Sequence, residues 1–92
     1  MIVIVATVRI HPDKVKIYEA ACRDLLAKIH ANEPGTPFYT FAKSREEPDT
    51  YRVIEVYKDK AAQDFHLQTP YLAEAFSKLS DCMAAPVTFI VQ

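Results

Sequence analysis

The chain has 92 residues and a mass of 10.4 kDa, and its 11 basic and 12 acidic side chains give a formal net charge of −1. A chain of this length buries only about 60–65% of its unfolded surface, which permits one modest core and predicts a single domain over residues 1–92. Its only glycine, Gly35, excludes phosphate loops and dinucleotide fingerprints, and the balanced charge without a basic run argues against nucleic-acid partners.

The first segment, Ile2 to Ile10, predicts a β-strand. It is rich in β-branched residues and apolar on both faces, so we expect it to be buried on both sides. Its opening eight apolar residues are too few for a transmembrane helix, and they lack the features of a signal peptide. We therefore expect a cytoplasmic protein without membrane contact.

An amphipathic helix is predicted from Lys14 to about Ala31, after Pro12 has ended the strand. Cys22 belongs to its apolar stripe, and Cys82 lies in a later helical pattern. Both are expected to be buried free thiols, because two cysteines in such patterns do not form a disulfide framework. The stripe consists of Val15, Tyr18, Cys22, Leu25, Leu26 and Ile29.

Two antiparallel strands are predicted next, Phe38 to Lys43 and Tyr51 to Lys58, on either side of a polar turn. A short helix follows with Asp59 as its cap. A second helix begins with Thr69 as its cap and Pro70 in its first turn, and ends at Pro86. The last strand is Val87 to Val91.

This order of elements predicts an α+β fold of the ferredoxin-like βαββαβ type, with a four-stranded antiparallel sheet and both helical segments on one face. The other face of such a sheet is polar in a soluble monomer, but here the first strand is apolar on both faces. Because soluble monomers rarely expose an apolar surface of several hundred Å², we predict a homodimer that packs sheet against sheet.

Two side chains are candidates for proton transfer. His66 precedes the Thr69-Pro70 break between two helices, and histidine titrates near neutral pH. Glu55 is a carboxylate in the middle of an apolar strand, which indicates a paired partner. The alternative for His66 is a half-buried side chain that fills space, and for Glu55 a structural hydrogen bond or an exposed strand edge.

A mostly apolar pocket with tyrosine hydroxyls would suit a flat aromatic or quinone-like ligand. For each tyrosine, packing in the core is the alternative role. No metal site is expected, because the three histidines are scattered and no metal-ligand spacing is present. The candidate substrate-binding residues are Tyr39, Tyr51, Tyr57, Tyr71 and Phe76.

The chain resembles the antibiotic biosynthesis monooxygenase family of dimeric α+β barrels, which includes small quinol monooxygenases. The resemblance spans nearly the whole chain. It rests on five short segments in order: Val5-Ala6-Thr7, Pro12-Asp13-Lys14, Asn32-Glu33-Pro34-Gly35 leading into Phe38-Tyr39, Ile54 to Asp59, and Phe65 to Tyr71.

The resemblance implies a cofactor-independent monooxygenase that needs no metal, flavin or haem and acts on a small aromatic or quinol-type substrate. His66 matches the family's histidine and is implied to transfer the proton, and Glu55 matches the strand acid that orients it. Tyr71 departs from the family pattern, in which many relatives have histidine. A mechanism with two histidines is therefore not expected.

Three other functions of this family remain alternatives. A haem-degrading protein would carry a tryptophan and an asparagine in its pocket, but the chain has no tryptophan and only Asn32 after the first helix. An isomerase of the autoinducer-processing branch would need a basic pocket for a phosphorylated ligand. A non-catalytic binding or stress-response module would share the fold without the activity.

Overall fold

The computed structural model describes residues 1–92 as one four-stranded antiparallel sheet with helices on one face. The strands lie in the order β2-β3-β1-β4, which confirms the predicted ferredoxin-like α+β fold. No helix combines the length and the apolar character needed to cross a membrane. The elements are β1 (Ile2–Arg9), α1 (Val15–Asn32, entered through a 3₁₀ turn at Pro12–Lys14), β2 (Phe38–Lys43), β3 (Thr50–Tyr57), α2 (Lys60–Leu67), α3 (Pro70–Cys82) and β4 (Thr88–Val91).

Helix α3 differs from the prediction at both ends, whereas α2 begins as predicted. The Asp59 side chain caps α2 as predicted, accepting from the Ala62 N–H at 2.9 Å. Thr69 occupies the N-cap position of α3, but its hydroxyl donates to the carbonyl of His66 at 2.9 Å. The reason is that α2 ends two residues earlier and leaves carbonyls without helical partners. α3 ends at Cys82 rather than Pro86, because Met83 is extended and bridges Ile10.

The helix-covered face of the sheet holds the core. In the β1–β3 pairing, Ile4 lies opposite Glu55 and Ala6 opposite Val53, so these side chains share one face. The apolar stripe of α1 packs on this face, as its 3.6-residue period predicted. The core side chains of α1 are Tyr18, Ala21, Cys22, Leu25 and Ile29.

The opposite face of the sheet is apolar and uncovered in the single chain. On β1, Val3 and Val5 are only partly buried, whereas the alternate residues are fully buried. The expectation that β1 is buried on both sides is therefore not met within one chain, since no helix covers this face. Phe38 and Ile90 are 50% and 61% exposed. The pairing registers place Val3, Val5, Phe38, Ile54, Val56 and Ile90 together on this open face.

Gly35 is required by close packing rather than by a left-handed backbone, because its φ is not positive. A Cβ at this position would lie 2.7 Å from the Cβ of Ala62 in α2. We expect Gly35→Ala to lower the free energy of unfolding by about 1–3 kcal/mol, as overpacking typically does. Urea denaturation measures this loss.

The double variant Gly35→Ala, Ala62→Gly is the control, because it removes the close contact. It should recover the loss except for about 1 kcal/mol, the cost of glycine within a helix. A single variant as stable as the natural chain would show that α2 does not pack tightly on this turn.

Candidate active site

A cleft of about 620 Å³ lies between the helix-covered face of the sheet and the two helices α2 and α3. This volume is typical of sites for small molecules, and a mostly apolar lining with few polar groups is also typical. Eight of the eleven lining residues are hydrophobic. The cleft is lined by Ile4, Tyr39, Glu55, Tyr57, Gln63, His66, Leu67, Leu72, Ala73, Phe76 and Phe89.

His66 is the one fully buried residue of α2, only 2% exposed, although its neighbours Phe65 and Leu67 are 54% and 60% exposed. Its ring packs between two tyrosines: the ring centroids of Tyr39 and Tyr57 lie 5.3 and 5.5 Å from its own. Its Nδ1 lies 2.9 Å and 3.1 Å from the two carboxylate oxygens of Glu33. The imidazole is therefore fixed in position.

Glu33 follows the last residue of α1, and its side chain is 1% exposed. Besides His66, two hydroxyls donate to it: Thr36 to Oε1 at 3.1 Å, and Tyr71 to Oε2. A buried charge is costly unless hydrogen-bond donors stabilise it. His66, Thr36 and Tyr71 supply three such donors to the Glu33 carboxylate. Sequence reasoning did not identify Glu33 as a site residue, although it lies in the Asn32-Glu33-Pro34-Gly35 segment of the resemblance.

The contacts of Glu33 determine which nitrogen of His66 carries a hydrogen. Both carboxylate oxygens already accept from hydroxyls, so Glu33 acts as an acceptor and Nδ1 of His66 carries the hydrogen between them. Nε2 makes no hydrogen bond within the chain. In the neutral ring it is the unprotonated nitrogen, and it is free to accept a proton from a molecule in the cleft.

Glu55 lines the same cleft, so the fold brings the two predicted catalytic residues together. It does not make the predicted orienting contact with His66, because Glu33 occupies that position. Its Oε1 instead accepts from the Tyr57 hydroxyl at 2.6 Å. Burial raises the pKa of the Glu55 carboxyl, and the hydrogen bond from Tyr57 opposes the rise only in part.

Three of the five predicted substrate-binding residues line the cleft: Tyr39, Tyr57 and Phe76. Tyr71 lies behind it and donates to Glu33; burial, followed by this contact, raises the pKa of its hydroxyl to about 12. Tyr51 lies outside the cleft, because it is six positions from Tyr57 along the strand, a distance of about 20 Å. Its hydroxyl donates to Glu19 at 2.5 Å beside a separate cavity of about 280 Å³.

The remaining candidate groups of the sequence do not form a second reactive site. Cys22 and Cys82 are buried and free, as predicted, and burial raises the pKa of both thiols. His11 and His30 are exposed. No group of three or more His, Cys, Asp or Glu side chains is arranged to hold a metal ion.

Comparison with known families gives one match that covers most of the chain. The sequence model described as "Antibiotic biosynthesis monooxygenase" matches residues 1–78. This segment contains β1 to α2 and most of α3, and it therefore contains Glu33, Glu55, His66 and Tyr71. All the polar groups of the candidate site lie within the matched part of the chain.

The chain is also similar to individual proteins over nearly its whole length. An uncharacterized protein of Synechocystis, sll1783, is 32% identical over 85 residues. These residues are 92% of this chain but 57% of that protein, so the chain spans little more than half of that relative. "Putative monooxygenase YcnE" of Bacillus subtilis is 28% identical over 98% of this chain and 94% of its own. A crystal structure from Caulobacter crescentus CB15, described under the same family name, superposes with a TM-score of 0.96 at 33% identity, covering 99% of this chain and 86% of that one.

Proposed function

Because the chain belongs to the antibiotic biosynthesis monooxygenase family, we propose that it is a cofactor-independent monooxygenase of a small aromatic, quinol-type substrate. The family match and the relative named for a monooxygenase support a monooxygenase-like function. One observation supports the proposed cofactor-independent mechanism. A buried histidine, held through Nδ1 by a buried carboxylate, leaves Nε2 free in an apolar cleft.

The proposed reaction begins with a proton transfer to His66. Nε2 removes the hydroxyl proton of the bound quinol, and the Glu33 carboxylate stabilises the imidazolium that forms. The resulting phenolate is electron-rich enough to donate an electron to dioxygen directly. The protein therefore has to bind the substrate, take its proton and exclude water from the reactive anion.

The lining of the cleft favours an aromatic substrate. The rings of Tyr39, Tyr57 and Phe76 offer faces and edges against which a planar ring packs. No Lys or Arg lines the cleft, so a phosphorylated ligand, as the isomerase alternative requires, would find no cation there. This favours a quinol over a sugar phosphate.

Oxygen uptake tests the proposed activity. Purified protein treated with a metal chelator is mixed with a panel of reduced naphthoquinols and anthrones in an oxygen electrode, with the uncatalysed rate subtracted. We expect protein-dependent uptake with at least one member of the panel, unchanged by the chelator. Tight binding of a panel member without uptake would contradict the enzyme and support the non-catalytic binding module.

We also propose that the active form is a homodimer in which two open sheet faces pack together. The face carries six apolar side chains that no other element covers, among them Ile54 and Phe38. A second copy would cover this apolar surface and remove it from water.

Light scattering should give the mass of two chains of 10.4 kDa for the natural protein, and the mass of one for Ile54→Lys. A lysine in the middle of a packed apolar face buries an unpaired charge, which a dimer does not tolerate. Ile17→Lys is the matched control, because Ile17 is 53% exposed on α1 and far from the sheet face. A monomeric natural protein, or a dimeric Ile54→Lys variant, would contradict the sheet-to-sheet dimer.

A further inference from the structure

We propose that Glu55 is the proton donor that completes the reduction of dioxygen, while His66 acts as the base. This role rests on the proposed monooxygenase function and gives it a second catalytic group. It differs from the orienting role that the resemblance implies for Glu55, because Glu33 already orients the histidine.

The geometry of the cleft separates the two groups and aims both at the same space. The Tyr57 ring contacts the His66 ring, at 5.5 Å between centroids, and the Tyr57 hydroxyl donates to Oε1 of Glu55. Tyr57 thus acts as a spacer between the base and the acid. Oε1 is engaged by this bond, whereas Oε2 makes no hydrogen bond within the chain and is free to carry a proton. Glu55 is the only carboxylic acid that lines the cleft.

The chemistry needs such a donor at one particular step. Anthrone has a carbonyl group at one position of its central ring and a methylene group at the opposite position. It reacts with one dioxygen to give anthraquinone and one water. His66 takes the first proton, the carbanion is oxidised by dioxygen with formation of a C–O bond, and the protonated His66 returns its proton to the peroxide. A hydroperoxide on the ring carbon results.

The second half of the reaction then breaks the O–O bond. Nε2 of His66 removes the remaining proton from the same carbon, and the C–H electron pair forms the C=O bond. The distal oxygen leaves with the O–O electron pair and takes the proton of Glu55, so that water rather than hydroxide departs. After the product leaves, water takes the proton from His66 and supplies one to the Glu55 carboxylate, which restores both groups.

The environment of Glu55 agrees with a donor. Its carboxyl has a raised pKa because it is buried, and the hydrogen bond from Tyr57 and the nearby His66 oppose this rise only in part. The titratable side chains around it are Tyr57 on its own strand, Tyr39 on β2 and His66 on α2. A pair of titratable groups held in different environments of one cleft is the usual arrangement of an acid and a base.

A single-turnover experiment with anthrone and the variant Glu55→Gln tests this role. The glutamine oxygen still accepts from Tyr57, but the side chain has no acidic proton. We expect the first-turnover uptake of dioxygen to fall by less than about threefold, while anthraquinone appears about 100-fold more slowly and the hydroperoxide accumulates. Glu19→Gln is the matched control, because Glu19 accepts from Tyr51 in the same way but lies outside the cleft.

The pH dependence separates a proton donor from a merely structural residue. Anthraquinone formation requires a protonated Glu55, so it should fall as the pH rises through the pKa of this carboxyl. Tyr57→Phe removes a hydrogen bond that stabilises the carboxylate, so the fall should shift to higher pH.

The outcomes distinguish this inference from the proposed function. If the natural protein takes up no dioxygen with anthrone or any quinol, the proposed function fails. If it does, and Glu55→Gln forms anthraquinone at the natural rate, or the Tyr57→Phe profile does not move, then Glu55 is not the donor. Circular dichroism melts of each variant show whether the fold is retained, and a folded Tyr57→Phe protein decides the question even if Glu55→Gln does not fold.

Discussion

Replacing His66 with glutamine is expected to lower the rate of quinol-dependent oxygen uptake about 100-fold to 10,000-fold, the usual contribution of a positioned acid–base group. The Gln amide has nearly the size of the imidazole but cannot accept a proton at neutral pH. The site would keep its shape and its apolar lining, so substrate binding should change little. The loss is therefore expected in kcat and not in KM.

The other two histidines provide matched controls. His11 and His30 are exposed and lie outside the cleft, and each can be replaced by the same residue. Both variants should retain the natural rate. Equal oxygen uptake by His66→Gln and the natural protein would remove His66 from the mechanism, and with it the central step of the proposed reaction.

Removal of the Glu33 carboxylate is expected to have the largest effect on stability. In Glu33→Ala, Nδ1 of His66 and the hydroxyls of Thr36 and Tyr71 lose their common acceptor within the protein. Each buried donor that is left without an acceptor costs about 1–3 kcal/mol, so we expect the three donors together to cost about 3–5 kcal/mol. Urea denaturation at a fixed protein concentration measures the loss in the free energy of unfolding.

Asp64→Ala is the control for Glu33→Ala, since Asp64 is also an acceptor, but on the surface. Its ion pair with Lys60, at 3.1 Å, is exposed and should contribute less than about 1 kcal/mol. We expect the two variants to differ several-fold in their loss of stability. Similar small losses in both would mean that the Glu33 network does not hold His66 in place.

Much of the fold could be predicted because the patterns are local. The 3.6-residue stripe of α1, the alternation in β3 and the cap of α2 by Asp59 each depend on neighbours within a few residues. The end of α3 could not be predicted in this way. It depends on Met83 bridging Ile10, a contact between residues more than seventy positions apart.

The site was predictable only in part, for the same reason. His66 and Glu55 are unusual within their own segments: one is a histidine between apolar residues, and the other is a carboxylate in an apolar strand. Glu33 has no such local signal, since an acid after a helix is ordinary on a protein surface. Its role arises because the fold buries it against His66, 33 positions later in the chain.

Tyr51 is a predicted substrate-binding residue that the structure places away from the cleft. By alternation it shares a strand face with Tyr57 and Glu55, and its hydroxyl made it a candidate like those of the other tyrosines. A shared face does not mean a shared cleft, because the strand extends well beyond a site of this size. The structure places Tyr51 with Glu19, at a separate cavity.

Isotope labelling decides whether this cleft inserts an oxygen atom from dioxygen into a quinol-type substrate. Chelator-treated protein is incubated with the panel member that supports the fastest uptake, under dioxygen labelled with heavy oxygen in ordinary water, and the product is analysed by mass spectrometry with His66→Gln in parallel. We expect one labelled oxygen atom in each product molecule for the natural protein and no protein-dependent product for the variant. Product without label, or labelled product formed equally by both proteins, would contradict it.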